Sequence, residues 1–127
     1  MSQVQTLEQE RANFAWTKVQ NLISKKDLHQ KAFKNVAKAA PAMVMNNGLM
    51  QALAFYQSRK EGEPEHLVCL ILTWLAQQKI LKIADGSFKA GMEALHQSSS
   101  AAYLRATEEA LEILRWIRQF ANALITD

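Results

Sequence analysis

Pro41-Ala42-Met43-Val44-Met45-Asn46-Asn47-Gly48-Leu49-Met50-Gln51-Ala52-Leu53-Ala54-Phe55-Tyr56 is almost continuously apolar, and its main polar interruption is Asn46-Asn47-Gly48. Proline suits the first turn of a helix, where its missing N–H is not needed, and Asn-Gly offers a break before Leu49. Beyond the break, Leu49, Ala52, Leu53 and Tyr56 recur at helical spacing, so this segment reads as a helix buried on most sides. Nothing in it suggests catalysis.

Working outward, the chain divides into five or six helices with short connections. The first is expected from about Val4 to Lys25, a second from Leu28 to Ala40, and a third from Pro41 to Lys60 with the Asn-Gly interruption inside it. The acidic turn Glu61-Gly62-Glu63-Pro64-Glu65 precedes a fourth, from near Glu65 to Gln78, that is apolar nearly all round and belongs at the centre. A short helix is expected after Gly86-Ser87, up to His96. Ser98, Ser99 and Ser100 supply N-cap candidates for a last helix, with Leu104, Leu111, Leu114, Ile117, Ala121 and Leu124 as its buried stripe. The expected fold class is all-α, a compact bundle forming a single domain over residues 1–127. Four Gly and two Pro among 127 residues agree with that class, and the length suffices for a core without metal or disulfide support.

Several function classes lose support. The strongly apolar run from Leu67 to Leu75 is too short to span a bilayer, and the first residues carry Glu8 and Glu10 rather than a secretory leader, so a cytoplasmic protein is expected. Cys69, within Leu67-Val68-Cys69-Leu70-Ile71-Leu72, reads as a buried, inert core thiol. His29, His66 and His96 lack the paired spacing of a helical metal site, so no metal and no cofactor is expected. Phosphate loops and nucleophile elbows do not occur, and no catalytic residue is assigned.

Charge is distributed unevenly behind a formal net of +3. Residues 1–60 hold nine Lys or Arg against three acids, a balance of +6; residues 61–127 hold six against nine, a balance of −3. No acid occurs between Leu28 and Lys60. Lys31, Lys34 and Lys38 fall within a helical sector of roughly 60°, away from Phe33, Ala37 and Ala40. Such a row is either a plain solvated face or a ridge of ammonium groups facing phosphates. Arg11, Lys18 and Lys25 repeat every seven residues along the first helix. Arg11 falls inside its apolar stripe, within about 20° of Val4 and Leu22, and therefore needs a partner. Trp16, Trp74, Trp116, Phe14, Phe33, Phe55 and Phe120 fit core or interface roles better than base stacking.

Three stretches carry a family resemblance. Asn47-Gly48-Leu49-x-x-x-Leu53-Ala54-Phe55 resembles the central signature of the small all-helical subunit of Cmr-type (type III-B) CRISPR RNA-targeting complexes. Gln9-Glu10-Arg11-Ala12-Asn13-Phe14-Ala15 is similar to that family's opening helix. Tyr103-x-x-x-Thr107-x-Glu109-Ala110, continuing through Leu114, Trp116, Ile117 and Phe120-Ala121, is similar to its closing helix. The resemblance implies a non-catalytic ribonucleoprotein subunit in antiviral defence, stacked with further copies of itself beside other Cmr-type subunits and touching guide and target RNA. The expected RNA contacts are Lys18, Lys25, Lys31, Lys34, Lys38 and Arg59. Because Arg11 and Glu109 both belong to family words, Glu109, or else Glu108, is the expected structural partner of Arg11. The alternative is a protein-only helical adaptor whose basic face docks an acidic partner.

Overall fold

The computed structural model describes residues 4–59 and 62–126. Six helices occur in the order α1 Leu7–Ile23, α2 Gln30–Asn47, α3 Leu49–Ser58, α4 Glu63–Gln77, α5 Phe88–Gln97 and α6 Ser100–Leu124, and no strand is present among the described residues.

α1 starts later than Val4 because a capping box fixes its first turn. The Gln9 N–H donates to Thr6 Oγ1 at 3.1 Å, and the Thr6 N–H donates to Gln9 Oε1 at 2.8 Å. Val4 lies outside the helix, fully exposed, and Lys25 falls in the turn that follows it.

The boundary expected at Ala40–Pro41 is displaced, since α2 runs straight through Pro41 to Asn47. Phe33, Ala37, Ala40 and Val44 form one unbroken buried stripe across the proline. Burial of that stripe outweighs the single backbone hydrogen bond that Pro41 cannot donate. The chain breaks instead at Gly48, whose φ of 87° and ψ of 157° lie in a region open essentially to glycine alone. Gly48 has no side chain to cap α3. The Tyr103 hydroxyl of α6 takes that role, accepting the Met50 N–H at 3.1 Å.

α4 begins at Glu63, two residues earlier than the acidic turn implies, with Pro64 in its first turn. Glu63 is buried, and its Oε1 accepts the His29 N–H at the start of α2. Leu67, Val68, Leu70, Ile71, Leu72, Trp74 and Leu75 are all buried, so α4 is central, as its composition implies. Cys69 nevertheless is exposed. It shares the outward face of α4 with Glu65 and Thr73, one turn to either side. Lys79, with φ of 58°, turns the chain out of α4, and the N–H groups of Ile80 and Leu81 both return to the Leu75 carbonyl. Gly91 lets α5 approach closely: a Cβ there would lie 2.6 Å from Leu72.

α6 is capped by Ser99 and touches α1, α2 and α4. Its buried stripe is Ala106, Glu109, Ala110, Ile113, Leu114, Ile117 and Ala121. Leu104, expected inside, is 58% exposed, because Tyr103 and Ala106 face the bundle at that turn. The expected end of the third helix at Lys60 lies outside the described residues.

The two tyrosines make opposite predictions. Tyr103→Phe removes the acceptor for the Met50 N–H and should lower stability by about 1 kcal/mol. The Tyr56 hydroxyl is buried without a hydrogen-bond partner among the described residues. Tyr56→Phe should therefore leave stability unchanged or raise it by about 1 kcal/mol, read as a shift in the urea midpoint.

Candidate nucleic-acid interface

The polar centre of the bundle is a bidentate ion pair. Arg11 on α1 donates from Nε to Glu109 Oε2 and from Nη2 to Glu109 Oε1, both at 2.7 Å. Trp74 of α4 adds a third hydrogen bond, from Nε1 to Glu109 Oε2 at 2.9 Å. The side chains of Arg11 and Glu109 are only 17% and 11% exposed, and Glu112 adds a longer contact to Arg11 at 3.7 Å. Phe14 lies against Trp74 with ring centroids 5.0 Å apart, closing the group on its apolar side. Burial alone would raise the Glu109 carboxyl pKa. Hydrogen bonds from Arg11 and Trp74, with the charges of Arg11 and Arg105, overcome that and hold it below the ordinary range. The Glu109 hydrogen bond correspondingly raises the Arg11 pKa. This site joins α1, α4 and α6, and its Arg11 and Glu109 side chains also line a surface groove.

The basic residues divide among separate places. Lys31 and Lys38 are exposed on α2. Lys34 is half-buried and donates from Nζ to the Ile125 carbonyl at 3.2 Å, at the negative end of α6. Arg59 has its guanidinium 5.5 Å from the Phe55 ring centre and lines a small cavity with Ala32, Asn35 and Val36 of α2. Lys34 and Arg59 thus flank the outward face of α2, on its α6 and α3 sides respectively. Lys25 is exposed in the turn leading into α2. Lys18 is not part of this group. Its ammonium sits 5.6 Å from the Phe14 ring centre, in a cleft between α1 and the end of α4.

A further basic feature escapes sequence reasoning. Arg105, Arg115 and Arg118 line a groove of about 670 Å³ beside Pro41 and Met45, together with Glu108 and Glu112. These arginines line one groove, but the net negative balance of residues 61–127 conceals them. Glu112 offsets part of their charge, contacting Arg115 at 3.3 Å. Among the described residues, no cluster of three His, Cys, Asp or Glu side chains could hold a metal ion, and no helix is long and apolar enough to cross a membrane.

The fold and its surface define the class: a small all-α protein whose buried polar chemistry is committed to joining helices, and whose exposed charge is gathered on particular faces. The family model described as "CRISPR-associated protein (Cas_Cmr5)" matches residues 7–124. The chain is 30% identical over 95 residues to the CRISPR system Cmr subunit Cmr5 of Thermus thermophilus, covering 75% of this chain and 76% of that one. The crystal structure of a CRISPR-associated Cmr5 family protein from the same organism superposes with a TM-score of 0.79 at 30% identity, covering 96% of this chain and all of the other. The chain belongs to the Cmr5 family of CRISPR-associated proteins, the small Cmr-type subunits.

Removing either partner of the central pair leaves a poorly solvated charge, so Arg11→Ala and Glu109→Ala should each cost about 3 kcal/mol. A double-mutant cycle should return a coupling of about 2 kcal/mol; additive losses would deny the pair any role in stability. Because folding depresses the Glu109 pKa, its contribution is complete above the unfolded value of about 4.3 and is lost as pH falls through the lower folded value. Denaturant titrations from pH 6 to pH 2 should show Glu109→Gln starting less stable but losing less on acidification.

Proposed function

We propose that this chain is a non-catalytic small subunit of a type III-B (Cmr) CRISPR ribonucleoprotein, stacking with further copies of itself and contacting guide or target RNA through the outward face of α2. Family membership supports the assembly. The RNA contact rests on one observation: Lys31 and Lys38 are exposed on a face flanked by Lys34 and Arg59, in a segment without an acidic residue from Leu28 to Arg59. Such a face neutralises phosphates without reading bases, as suits a complex in which pairing with the guide carries sequence information. Lys25 extends the face at the entry to α2. Lys18, in its cleft on α1, makes no contribution to it. With the polar centre occupied by the Arg11–Glu109–Trp74 group, the chain supplies shape and positive charge rather than a reaction.

The test is charge reversal at the two exposed lysines. Lys31→Glu with Lys38→Glu should weaken RNA capture by the assembled complex at least tenfold near physiological salt. It should also make the salt dependence shallower by about two phosphate contacts, while copy number by native mass spectrometry is unchanged. Loss of subunits from the complex with RNA capture intact would instead favour the adaptor reading, in which the basic face docks an acidic protein.

A further inference from the structure

The small cavity beside α2 that Arg59 lines holds two polar atoms for which the fold has no use. The cavity measures about 220 Å³ and has apolar walls at Ala32 and Val36 of α2 and at Pro64 in the first turn of α4. Tyr56 of α3 and Glu63 of α4 line it as well, and both are more than nine-tenths buried, at 5% and 4% exposure. The Tyr56 hydroxyl has no hydrogen-bond partner among the described residues. Glu63 Oε1 accepts the His29 N–H at 2.9 Å, whereas among the described residues Oε2 accepts no hydrogen bond. Burial pushes the Tyr56 pKa up, so the hydroxyl keeps its proton and can donate it. Left unpaired, a phenol and a carboxylate oxygen both cost stability, and a hydrogen-bonding partner from outside the chain would recover that cost.

The place of this cavity narrows the partner's chemistry. Asn35 lines it and is exposed; it follows Lys31 by four residues and precedes Lys38 by three, about one helical turn from each on the outward side of α2. Lys31, Lys38 and Arg59 together repel a cationic side chain, and the Glu63 carboxylate within repels a phosphate. A flat, neutral group with a hydrogen-bonding edge suits both the apolar walls and the two polar atoms. Nucleobases have that form. The Watson–Crick edge of every base sets an N–H donor next to an acceptor, which matches a carboxylate oxygen beside a phenol. Because all four bases share this feature, the cavity holds a base without choosing among them, and sequence information stays with the guide.

We propose that this cavity takes one unpaired base of the RNA lying on the α2 face, with the base's N–H on Glu63 Oε2 and its neighbouring acceptor on the Tyr56 hydroxyl. Lys31 and Lys38, one turn to either side of Asn35, then meet the flanking phosphates. The inference rests on the RNA contact of the proposed function and gives that contact a fixed register.

Single 4-thiouridine substitutions along the RNA of the assembled complex, each irradiated, test the contact. At one or more positions the thiobase should link to residues 32–36, 56 or 63–64. Links confined to other parts of this chain would overturn the inference. Tyr56→Phe, which leaves the fold intact, should lower RNA capture about fivefold with thermal stability unchanged or raised. An abasic nucleotide at the linking position should lower capture by a similar factor and abolish the difference between Tyr56→Phe and the parent. Equal capture by Tyr56→Phe and the parent would assign the hydroxyl to a bound water and overturn the inference, as would additive losses from the variant and the abasic nucleotide. The Lys31→Glu, Lys38→Glu complex separates the two levels: unchanged capture there removes the RNA face itself, whereas weakened capture without links from the cavity removes only the inserted base.

Discussion

The bidentate contact between Arg11 and Glu109 is the constraint on which the remaining architecture depends. A guanidinium and a carboxylate, each mostly removed from water, are mutually obligatory, because either alone would be a costly buried charge. Their geometry fixes more than distance. Two parallel hydrogen bonds set the rotation of α1 against α6, and the Trp74 indole on the same carboxylate sets α4 against both. With those three helices oriented, the stripe from Phe33 to Val44 brings α2 against the other side of α6, and α4 receives α3 and α5. Hydrophobic burial supplies the bulk of the driving force, and the ion pair selects one arrangement among many that would bury similar area.

The family words acquire a physical meaning from the same contacts. Arg11 of the opening word meets Glu109 of the closing word, and Tyr103 of the closing word caps the helix that starts just after Gly48 in the central word. Residues that look like a signature along the sequence are thus pairs across space. Gly48 is needed for a backbone angle, Tyr103 to satisfy the donor that this angle exposes, and Glu109 to receive Arg11. Their chemistry is architectural. The proposed RNA-contacting face lies elsewhere, on side chains such as Lys31 and Lys38 that no signature includes.

Much of the helical plan was legible because apolar periodicity and turn residues speak directly about local structure. The central α4, the glycine break and the serine caps are of this kind. Arg11 could be seen to need a partner from a helical wheel alone. Other features depended on three-dimensional context. Pro41 looked like a helix start, yet the stripe on either side of it kept one phase, and a continuous phase was the stronger signal. Cys69 sat among apolar residues, but a helix surrounded on most sides still keeps one strip facing out, and the sequence does not say which. Leu104 matched the spacing of a buried stripe whose neighbouring turn faced elsewhere. Of the basic set, composition located the α2 row, but only the fold could separate Lys18 from it and bring Arg59 alongside.

The partner of Arg11 lies 98 residues further along the chain. During synthesis at about 5–20 residues per second, the first helix emerges and then waits about 5–20 s before the ribosome releases the carboxylate that completes it. Throughout that interval Arg11 keeps its water shell and α1 lacks its principal neighbour. The packing of α1 and α2 onto α6 is therefore completed only after α6 has been synthesised. A polypeptide truncated before α6 leaves Arg11 without its carboxylate and the buried stripes of α1 and α2 without their shared neighbour, which makes an incomplete copy a poor competitor for a place in an assembly.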